Sequence, residues 1–292
     1  MKVTMLAEGL GWPEGPTKLP DGSLAFVEAY RGQVSVLTKT GVKQHAYVGG
    51  GPNAVLAADD GYLYVTQNGG IVGPWRAKDQ RPPSIQRISP DGKVEVMFTE
   101  IGGITLKAPN DLAFTPDGRL IFTDPGGEWD PKSPPDPSYL FAINPDGTAK
   151  LLEQLPATYP NGIAIEADGS IVWVESFTRA VMRRTTAGKI SRIATLPQTS
   201  VPDGFKIAAN GNYYIATLPS NGVDIVSPDG QHVGLLKVGK APTNCLFDGS
   251  TLYVTDGGHL GLSADPPLEG YLWAVELDGV EGKKLFPGRI AH

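Results

Sequence analysis

Six oxygen-bearing side chains recur along this chain at equivalent places in a repeated motif. Five of them follow a proline and the sixth follows a threonine, and neighbours are about 40 to 60 residues apart. The six residues are Glu14, Asn53, Asn110, Asn161, Asp203 and Asn244. Asn and Asp are common turn residues, so any one of them could be a turn former. The set is harder to explain in that way, because Glu14 is a poor turn residue and no aliphatic side chain fills any of the six positions.

Crowded carboxylates and amide oxygens need a cation, because buried charges and polar groups without partners are costly. Ligand sets made only of oxygen favour hard divalent ions. If the six side chains meet, the sequence therefore predicts one divalent metal ion. Ca²⁺ is the favoured ion, with Mg²⁺, Mn²⁺ or Zn²⁺ as alternatives.

Turn signals and β-rich segments follow each of the six positions. Asp-Gly and Asn-Gly pairs between apolar runs are typical of tight hairpins, as at Asp117-Gly118. The segments after these turns are rich in strand formers, such as Leu120 to Thr123. Most units carry a second hairpin signal, which gives four strands per unit. Units of about 40–50 residues with four strands are typical of propeller blades.

We therefore predict an all-β fold, a six-bladed β-propeller with four-stranded blades around a central metal-binding channel. It is expected to form a single domain over residues 1–292. The segment from Lys2 to Leu6 should pair with the segment from Tyr271 to Leu277 and so close the ring. The six motif residues would ring one mouth of the channel, each just before the innermost strand of its blade. A β-sandwich is the alternative, but it does not explain six similar units.

Two long insertions interrupt the repeat, at residues 68–83 and 125–138. Loops of this size are often lids or rims of binding sites, although a tolerated surface insertion is the simpler interpretation. Four aromatic residues could form a less polar rim: Trp12, Trp75, Trp129 and Phe177. His259 follows a strand of the sixth unit. It either overlooks the mouth, as a proton carrier or substrate contact, or is an exposed loop residue.

Charge and composition exclude several classes of partner. The formal net charge of −6 comes with no basic stripe, which argues against nucleic acid and against anionic membranes. The first residues lack the apolar core of a signal peptide, and the lone Cys245 cannot form an internal disulfide, so we expect a cytoplasmic protein. A small-molecule substrate is expected, and the sequence indicates no oligomeric state.

Four segments resemble one known enzyme family in family order over essentially the whole chain. They are Gly11 to Pro16, Ala108 to Leu112, Tyr159 to Ala164 and Val201 to Gly204, and the stretch from Asn110 to Pro125 is especially similar to bacterial members. The chain thus resembles the senescence-marker-protein/gluconolactonase/luciferin-regenerating family. The resemblance implies a six-bladed propeller with a catalytic divalent metal. It also implies that Glu14, Asn161 and Asp203 are direct ligands, and that Asn110 is a fourth ligand or binds through water and contacts the substrate.

The chain departs from its relatives at two places. Sugar-lactone-hydrolysing members carry an Arg two residues before the position of Asn110, where this chain has Ala108 with Lys107 adjacent. The missing guanidinium puts an aldonolactone substrate in doubt. Some related propellers hold a second, buried calcium, but the matching positions here resemble Lys206 and Leu246, so one metal is predicted.

The predicted function is metal-dependent hydrolysis of a γ- or δ-lactone by attack of water. Asp203 is the expected general base, with a role only as a ligand as the alternative. The predicted substrate contacts are Asn53, Asn110, Asn244, Trp129 and His259. Phosphotriester hydrolysis, a non-hydrolytic metal-dependent reaction and a binding propeller remain alternatives, because one propeller fold serves many functions. The chain contains neither a Gly-x-Ser-x-Gly elbow nor a His-Glu-x-x-His zinc motif.

Overall fold

The computed structural model describes residues 1–260 and 262–291. The elements are 28 strands and one short 3-10 helix, Ala29–Arg31, and the described residues contain no α-helix. Six sheets have four strands each, and two further strand pairs form small hairpins. The sheets are arranged as the six blades of a β-propeller, which confirms the predicted all-β, six-bladed fold with four-stranded blades. The metal-binding role of its channel stays a prediction.

Five blades are formed by strands taken in chain order, and in blade 2 a small hairpin lies between the second and third strands. Blade 1 contains β2 (Pro13–Lys18), β3 (Leu24–Glu28), β4 (Gln33–Thr38) and β5 (Gly41–Tyr47). Blade 2 contains β6 (Pro52–Ala57), β7 (Leu63–Gln67), β10 (Ser84–Ile88) and β11 (Val94–Phe98). Blade 3 contains β14 (Leu112–Phe114), β15 (Leu120–Asp124), β16 (Ser138–Ile143) and β17 (Ala149–Leu155). Blade 4 contains β18 (Pro160–Ile165), β19 (Ile171–Glu175), β20 (Ala180–Arg184) and β21 (Ile190–Thr195). Blade 5 contains β22 (Val201–Ile207), β23 (Tyr213–Leu218), β24 (Gly222–Val226) and β25 (His232–Lys237).

Blade 6 joins the two ends of the chain. Its strands are β26 (Pro242–Asp248), β27 (Thr251–Asp256), β28 (Gly270–Glu276) and, outermost, β1 (Lys2–Leu10). Strands β1 and β28 are antiparallel, with Lys2 opposite Glu276 and Val3 opposite Val275. The predicted closure of the ring by the N-terminal segment is confirmed. Pairing within a sheet leaves no gap at which the ring could open.

Apolar side chains between neighbouring blades form the core. Val27 of blade 1 packs with Val55 and Val65 of blade 2, while Phe26 packs with Leu246 of blade 6. Similar clusters lie between the other blades. Burying one such side chain contributes about 1.5–3 kcal/mol, so the blade interfaces hold the innermost strands in place.

The innermost strands all start at one face of the propeller and end at the other. They are β2, β6, β14, β18, β22 and β26, and they contact one another around the axis. The starting face carries the six motif residues and is called the mouth below. The opposite face is called the far end.

The chain after β28 crosses the far end. The Lys283 amide donates to the Ile207 carbonyl at 2.9 Å, and the Asp59 amide donates to the Gly288 carbonyl at 3.1 Å. Ile290 is buried against the cluster that includes Phe114, and its amide donates to the Tyr64 hydroxyl at 3.0 Å. The C-terminal segment, residues 281–291, therefore covers the far end of the channel. None of the helical structure in the described ranges is long and apolar enough to cross a bilayer.

Two additional hairpins extend from blade 2 and from the connection after it. Strands β8 (Ile71–Val72) and β9 (Trp75–Arg76) form a hairpin inside the first predicted insertion. Strands β12 (Glu100–Ile101) and β13 (Ile104–Thr105) form the second hairpin, which the sequence reasoning did not predict.

Candidate functional site

A backbone irregularity marks the motif residue in five of the six innermost strands. The antiparallel register shifts between Pro13/Glu14 and Thr17, and equivalent shifts follow Pro52, Pro160, Pro202 and Pro242. The motif residues were predicted to lie just before the strands. Instead, five of them are the second or third residue of their strands, and only Asn110 precedes its strand, β14. Bulges of this kind re-aim a side chain, and here they occur where the motif side chains reach the mouth.

Glycines after the motif residues allow the inner strands to approach closely. A Cβ on Gly15 would lie 2.2 Å from Ala54 Cα, and Gly15 has a φ of +49°. A Cβ on Gly204 would lie 1.9 Å from Asn244 Cγ. Only glycine fits at these two positions, which explains why the motif reads Pro-Glu-Gly and Pro-Asp-Gly there.

Hydroxyl groups of one blade hold the motif backbone of the next. Thr123 donates to the Asn161 carbonyl at 2.7 Å, Ser176 to the Pro202 carbonyl at 2.7 Å, and Thr243 to the Pro13 carbonyl at 2.7 Å. The sequence reasoning missed these residues. The sequence pattern that could have identified them is a Thr or Ser next to the mouth end of one of the two inner strands of a blade.

A cavity of about 390 Å³ opens at the mouth, within the range typical of small-molecule sites. Five of the six motif residues line it together: Glu14, Asn53, Asn110, Asn161 and Asp203. Trp12 and Trp129 also line it, as expected for part of an aromatic rim. The repeat therefore brings oxygen-bearing side chains from five blades to one place.

Asn244 lies below this group and does not line the cavity. Its side chain is fully buried, and its Nδ2 donates to Glu14 Oε2 at 2.8 Å. Its Oδ1 accepts from the Cys245 amide at 2.8 Å. Asn244 thus orients Glu14 from beneath, a different place from that of the predicted substrate contact.

Two amide oxygens of the cavity wall are buried and have no hydrogen-bond partner. They are Asn110 Oδ1 and Asn161 Oδ1. The Asn161 Nδ2 donates to Ser176 Oγ at 3.2 Å, which fixes the other end of that amide. Orphaned acceptors are expensive unless something satisfies them. Two such oxygens beside the Glu14 and Asp203 carboxylates fit a hard divalent cation.

The Glu14 and Asp203 carboxyl groups are electrostatically strained without a counter-charge. Burial is the main cause that raises the pKa of Asp203 to about 8; hydrogen bonding from Asn161 acts in the opposite direction, and the nearby Asp111 carboxylate contributes to the rise. Burial, Asp203 and Asp111 also raise the pKa of Glu14 well above its usual value. A bound cation favours the ionised form of both groups and removes this strain. The described residues contain no cluster of three or more His, Cys, Asp or Glu placed to hold a metal, so any metal here depends on the two amides.

Asp111 and Lys206 form a second charged layer below the cavity, and the sequence reasoning did not predict a role for either. Lys206 Nζ lies 4.0 Å from Asp111 Oδ2 and donates to Asn244 Oδ1 at 3.4 Å. Asp111 Oδ2 also accepts from Asn244 Nδ2 at 3.4 Å. The signal for Asp111 was its position, since the equivalent residue in the other five units is Gly, Ala or Cys. The ammonium of Lys206 partly balances the buried Asp111 carboxylate.

Two aromatic clusters flank the mouth on opposite sides. In blade 1, Trp12 packs on Tyr30 and His259, and Tyr30 packs on Trp75, with ring centroids 4.9–5.7 Å apart. His259 is therefore held against Trp12 and is not among the residues that line the cavity. The Trp75 ring is also buried in this cluster.

On the side of blade 4, Trp129 of the second insertion packs on Tyr159 and Phe177, with ring centroids 4.9 and 4.8 Å apart. Tyr159, like Trp12, directly precedes a motif proline and has a positive φ, 57° against 56° for Trp12. A positive φ is uncommon for a bulky residue and points each ring toward the mouth at a cost in backbone energy. The sequence reasoning missed Tyr159, although it occupies the repeat position of Trp12.

The two predicted insertions meet above the cavity. Arg76 of β9 pairs with Glu128 of the second insertion at 3.6 Å. The β8–β9 turn also touches the loop after β27, since a Cβ on Gly73 would lie 2.6 Å from Leu262 Cδ1. The insertions are therefore a rim of the cavity.

Comparisons with known proteins identify the family and agree with the fold. The family profile of the SMP-30/Gluconolactonase/LRE-like region matches residues 12–257. The gluconolactonase of Zymomonas mobilis is 26% identical over 284 residues, which cover 87% of this chain and 78% of that protein. Among solved structures, a luciferin-regenerating enzyme has a TM-score of 0.79 at 18% identity, covering 99% of both chains. The calcium-binding protein regucalcin from Agrobacterium tumefaciens has a TM-score of 0.73 at 19% identity, covering 97% of this chain and 95% of that one. The profile match spans most of the sequence, and the chain belongs to the SMP-30/gluconolactonase/LRE-like family.

Proposed function

We propose that this protein is a divalent-metal-dependent lactonase that opens a γ- or δ-lactone. The observation that carries the proposal is the pair of unpartnered amide oxygens, Asn110 Oδ1 and Asn161 Oδ1, facing a cavity with Glu14 and Asp203. The family and the similarity to the Zymomonas mobilis gluconolactonase support lactones as the substrate class. The similarity to regucalcin supports Ca²⁺ as the first ion to test, followed by Mg²⁺, Mn²⁺ and Zn²⁺.

The residues that would hold the metal are Glu14, Asn110, Asn161 and Asp203. A divalent ion bound there supplies Lewis acidity, which polarises a carbonyl group. Asn244 holds Glu14 from below at 2.8 Å, so one carboxylate is fixed in place. Ser176 fixes Asn161 in the same way at 3.2 Å. The ligand set is thus positioned before any substrate arrives.

Asp203 is the proposed proton acceptor. Water attacks the lactone carbonyl carbon while Asp203 takes one of its protons, and the ring C–O bond then breaks. The leaving alkoxide takes that proton, so the products balance as one hydroxy acid per lactone and water. A divalent ion held by these residues would favour the ionised form of Asp203, against the effect of burial. The proposal requires a small-molecule substrate that reaches the site through the mouth.

The test uses the full chain stripped with EDTA and then restored with one divalent ion at a time. We expect acid release from lactones only in the restored samples, with one heavy oxygen from labelled water in the product carboxylate. Asp203→Asn should lower kcat by about 100-fold to 10,000-fold. The matched control is Asp278→Asn, which changes an exposed carboxylate near the N-terminal amine.

Two outcomes would contradict the proposal. Protein that binds the metal but opens no lactone would exclude the activity and leave phosphotriesters, non-hydrolytic reactions and a binding role as alternatives. Protein that binds no divalent ion would exclude the ligand set itself.

A further inference from the structure

The upper wall of the cavity is aliphatic. Above the oxygen-bearing group, the lining side chains come from the β8–β9 hairpin, the ends of β22 and β23, and the loop after β27. They are Ile71, Val72, Val201, Leu218, Leu260 and Leu262. Leu260 and Leu262 are exposed at the surface, 53% and 38%, although both are large apolar residues. Exposed apolar side chains gathered at the entrance of a cavity mark a surface that an apolar ligand covers.

The charged residues of the cavity wall are all acidic. They are Glu14, Glu128 and Asp203, and neither Lys nor Arg is among the described residues that line the cavity. The guanidinium of Arg76, at the rim, pairs with Glu128. With the proposed divalent ion balanced by Glu14 and Asp203, an anionic substrate such as a sugar acid or phosphate ester would find no free cationic side chain among the described lining residues.

Several neutral polar groups of the wall are already engaged with the protein, whereas Asn110 Oδ1 and Asn161 Oδ1 are the oxygens assigned to the proposed metal. Asn53 Nδ2 donates to the Asn110 carbonyl at 3.2 Å, and Asn68 Oδ1 accepts from the Gly70 amide at 2.9 Å. Ser176 Oγ donates to the Pro202 carbonyl and accepts from Asn161. The hydroxyl groups of a polyol substrate would lose water without gaining these partners, and unpaired buried hydroxyls disfavour binding.

We propose that the substrate is an uncharged lactone with an apolar substituent, an alkyl chain or an aromatic ring, and not a polyhydroxylated lactone. The carbonyl end would face Asn110, Asn161 and Asp203, and the substituent would lie against Val72, Leu218 and the two aromatic clusters. This inference rests on the proposed function. Leu218 is the specificity-determining residue to test, because it comes from the propeller itself and not from a rim insertion.

The first experiment measures kcat/KM of the calcium-restored protein for γ-lactones whose alkyl chain grows from none to six carbons, and for δ-gluconolactone. Each methylene that enters an apolar wall should raise kcat/KM by about fourfold until the cavity is filled. We expect gluconolactone to be at least about 100-fold poorer than the best alkyl lactone. A flat chain-length series, or a preference for gluconolactone, would overturn the inference.

Leu218→Asn should flatten the chain-length series of kcat/KM, because it replaces an apolar contact of the substituent with a polar side chain. The matched control is Leu285→Asn, an exposed leucine at the far end, which should leave the series unchanged. An unchanged series in Leu218→Asn would overturn the assignment of Leu218 as the specificity residue.

Binding separates the failure of this inference from the failure of the proposed function. The probes are γ-lactams with the same alkyl chains, which resist hydrolysis, and the readout is calorimetric affinity. Affinity that rises with chain length in protein without lactonase activity would support the apolar site and contradict the proposed reaction. Absence of both turnover and lactam binding would overturn both.

Discussion

The mouth and the far end of the channel are made by the same six strands and differ in what those strands bury. At the mouth, the strands bury Glu14, Asn110 and Asn161 around a cavity of about 390 Å³. At the far end, the space is about 30 Å³, and the C-terminal segment contributes Leu285 and Phe286 to its lining. The bulges after the motif prolines account for the difference, because beyond them the strands return to ordinary apolar alternation. The mouth is therefore poorly packed but has room for a ligand, whereas apolar packing at the far end stabilises the fold.

Replacing a carboxylate at the mouth should have the largest effect. Glu14→Gln should weaken metal binding by at least about 100-fold, since loss of even an indirect supporting contact costs 10-fold to 100-fold. The same change should raise the melting temperature of the metal-free protein, because it removes a buried carboxylate that Asp203 and Asp111 repel. Calorimetric titration with Ca²⁺ and thermal unfolding measure the two effects. Glu276→Gln, at a surface pair with Lys2, is the control.

Shortening an apolar side chain at the far end should lower stability and leave metal binding unchanged. Ile290→Ala leaves a cavity in a packed cluster and should lower the free energy of unfolding by about 2–5 kcal/mol. Metal affinity should be unchanged at temperatures where the variant is folded. Denaturant unfolding measures the loss, with the exposed Arg289→Ala as control. If Ile290→Ala lowered the free energy of unfolding as little as Arg289→Ala, the C-terminal segment would not pack on the core in solution.

The thermal stability of the metal-free protein should depend on pH because of the carboxyl groups at the mouth. The pKa of Asp203 rises from 3.8 to about 8 on folding, so the folded state favours the protonated group. The stability from this group is present below pH 3.8 and is lost as the pH rises through 8, at no more than about 1.4 kcal/mol per pH unit. We expect the melting temperature of metal-free protein to fall between pH 5 and 8, because unfolding in this range releases roughly one proton from Asp203. Saturating Ca²⁺ should flatten the curve, and Asp203→Asn should make it less steep, leaving the contribution of Glu14, whose pKa is also raised. An equally steep curve in Asp203→Asn would assign the effect elsewhere.

The rim should show the smallest effect on stability. Arg76→Gln removes an ion pair in which both side chains are almost half exposed, which is worth about 0.2–1 kcal/mol. Its consequence should be a changed KM with nearly unchanged unfolding, because the pair joins the two insertions over the cavity. Steady-state kinetics at low and high salt measure it, and Arg119→Gln, which breaks a surface pair with Asp117, is the control. A kcat change without a KM change would contradict a purely rim role.

Sequence periodicity could predict the blades and the mouth because both follow from repetition. Pro-X openings and Asp-Gly turns report the strand starts, and five of the six motif residues do share one cavity. The closure by β1 was also predictable, since an apolar N-terminal segment needed a partner sheet. The family resemblance rests on the same motif positions and is confirmed by the profile match.

Other features depend on local geometry that repetition does not contain. Asn244 shares the register shift of its equivalents but is buried beneath Glu14, so its different place could not be predicted from the repeat. The pairing of Arg76 with Glu128 joins two insertions of unrelated sequence, and nothing in either predicts the other. Asp111 stands out only after its repeat position is compared with the small residues of the other units.

The strand that closes blade 6 also has a consequence for how the protein is made. β1 leaves the ribosome first and must wait for β28, and Asn244 reaches Glu14 across 230 residues of sequence. Contacts between such distant residues form late and slowly. A nascent or truncated chain thus has no complete mouth to bind metal or substrate, and the candidate site comes into being only when the ring is shut.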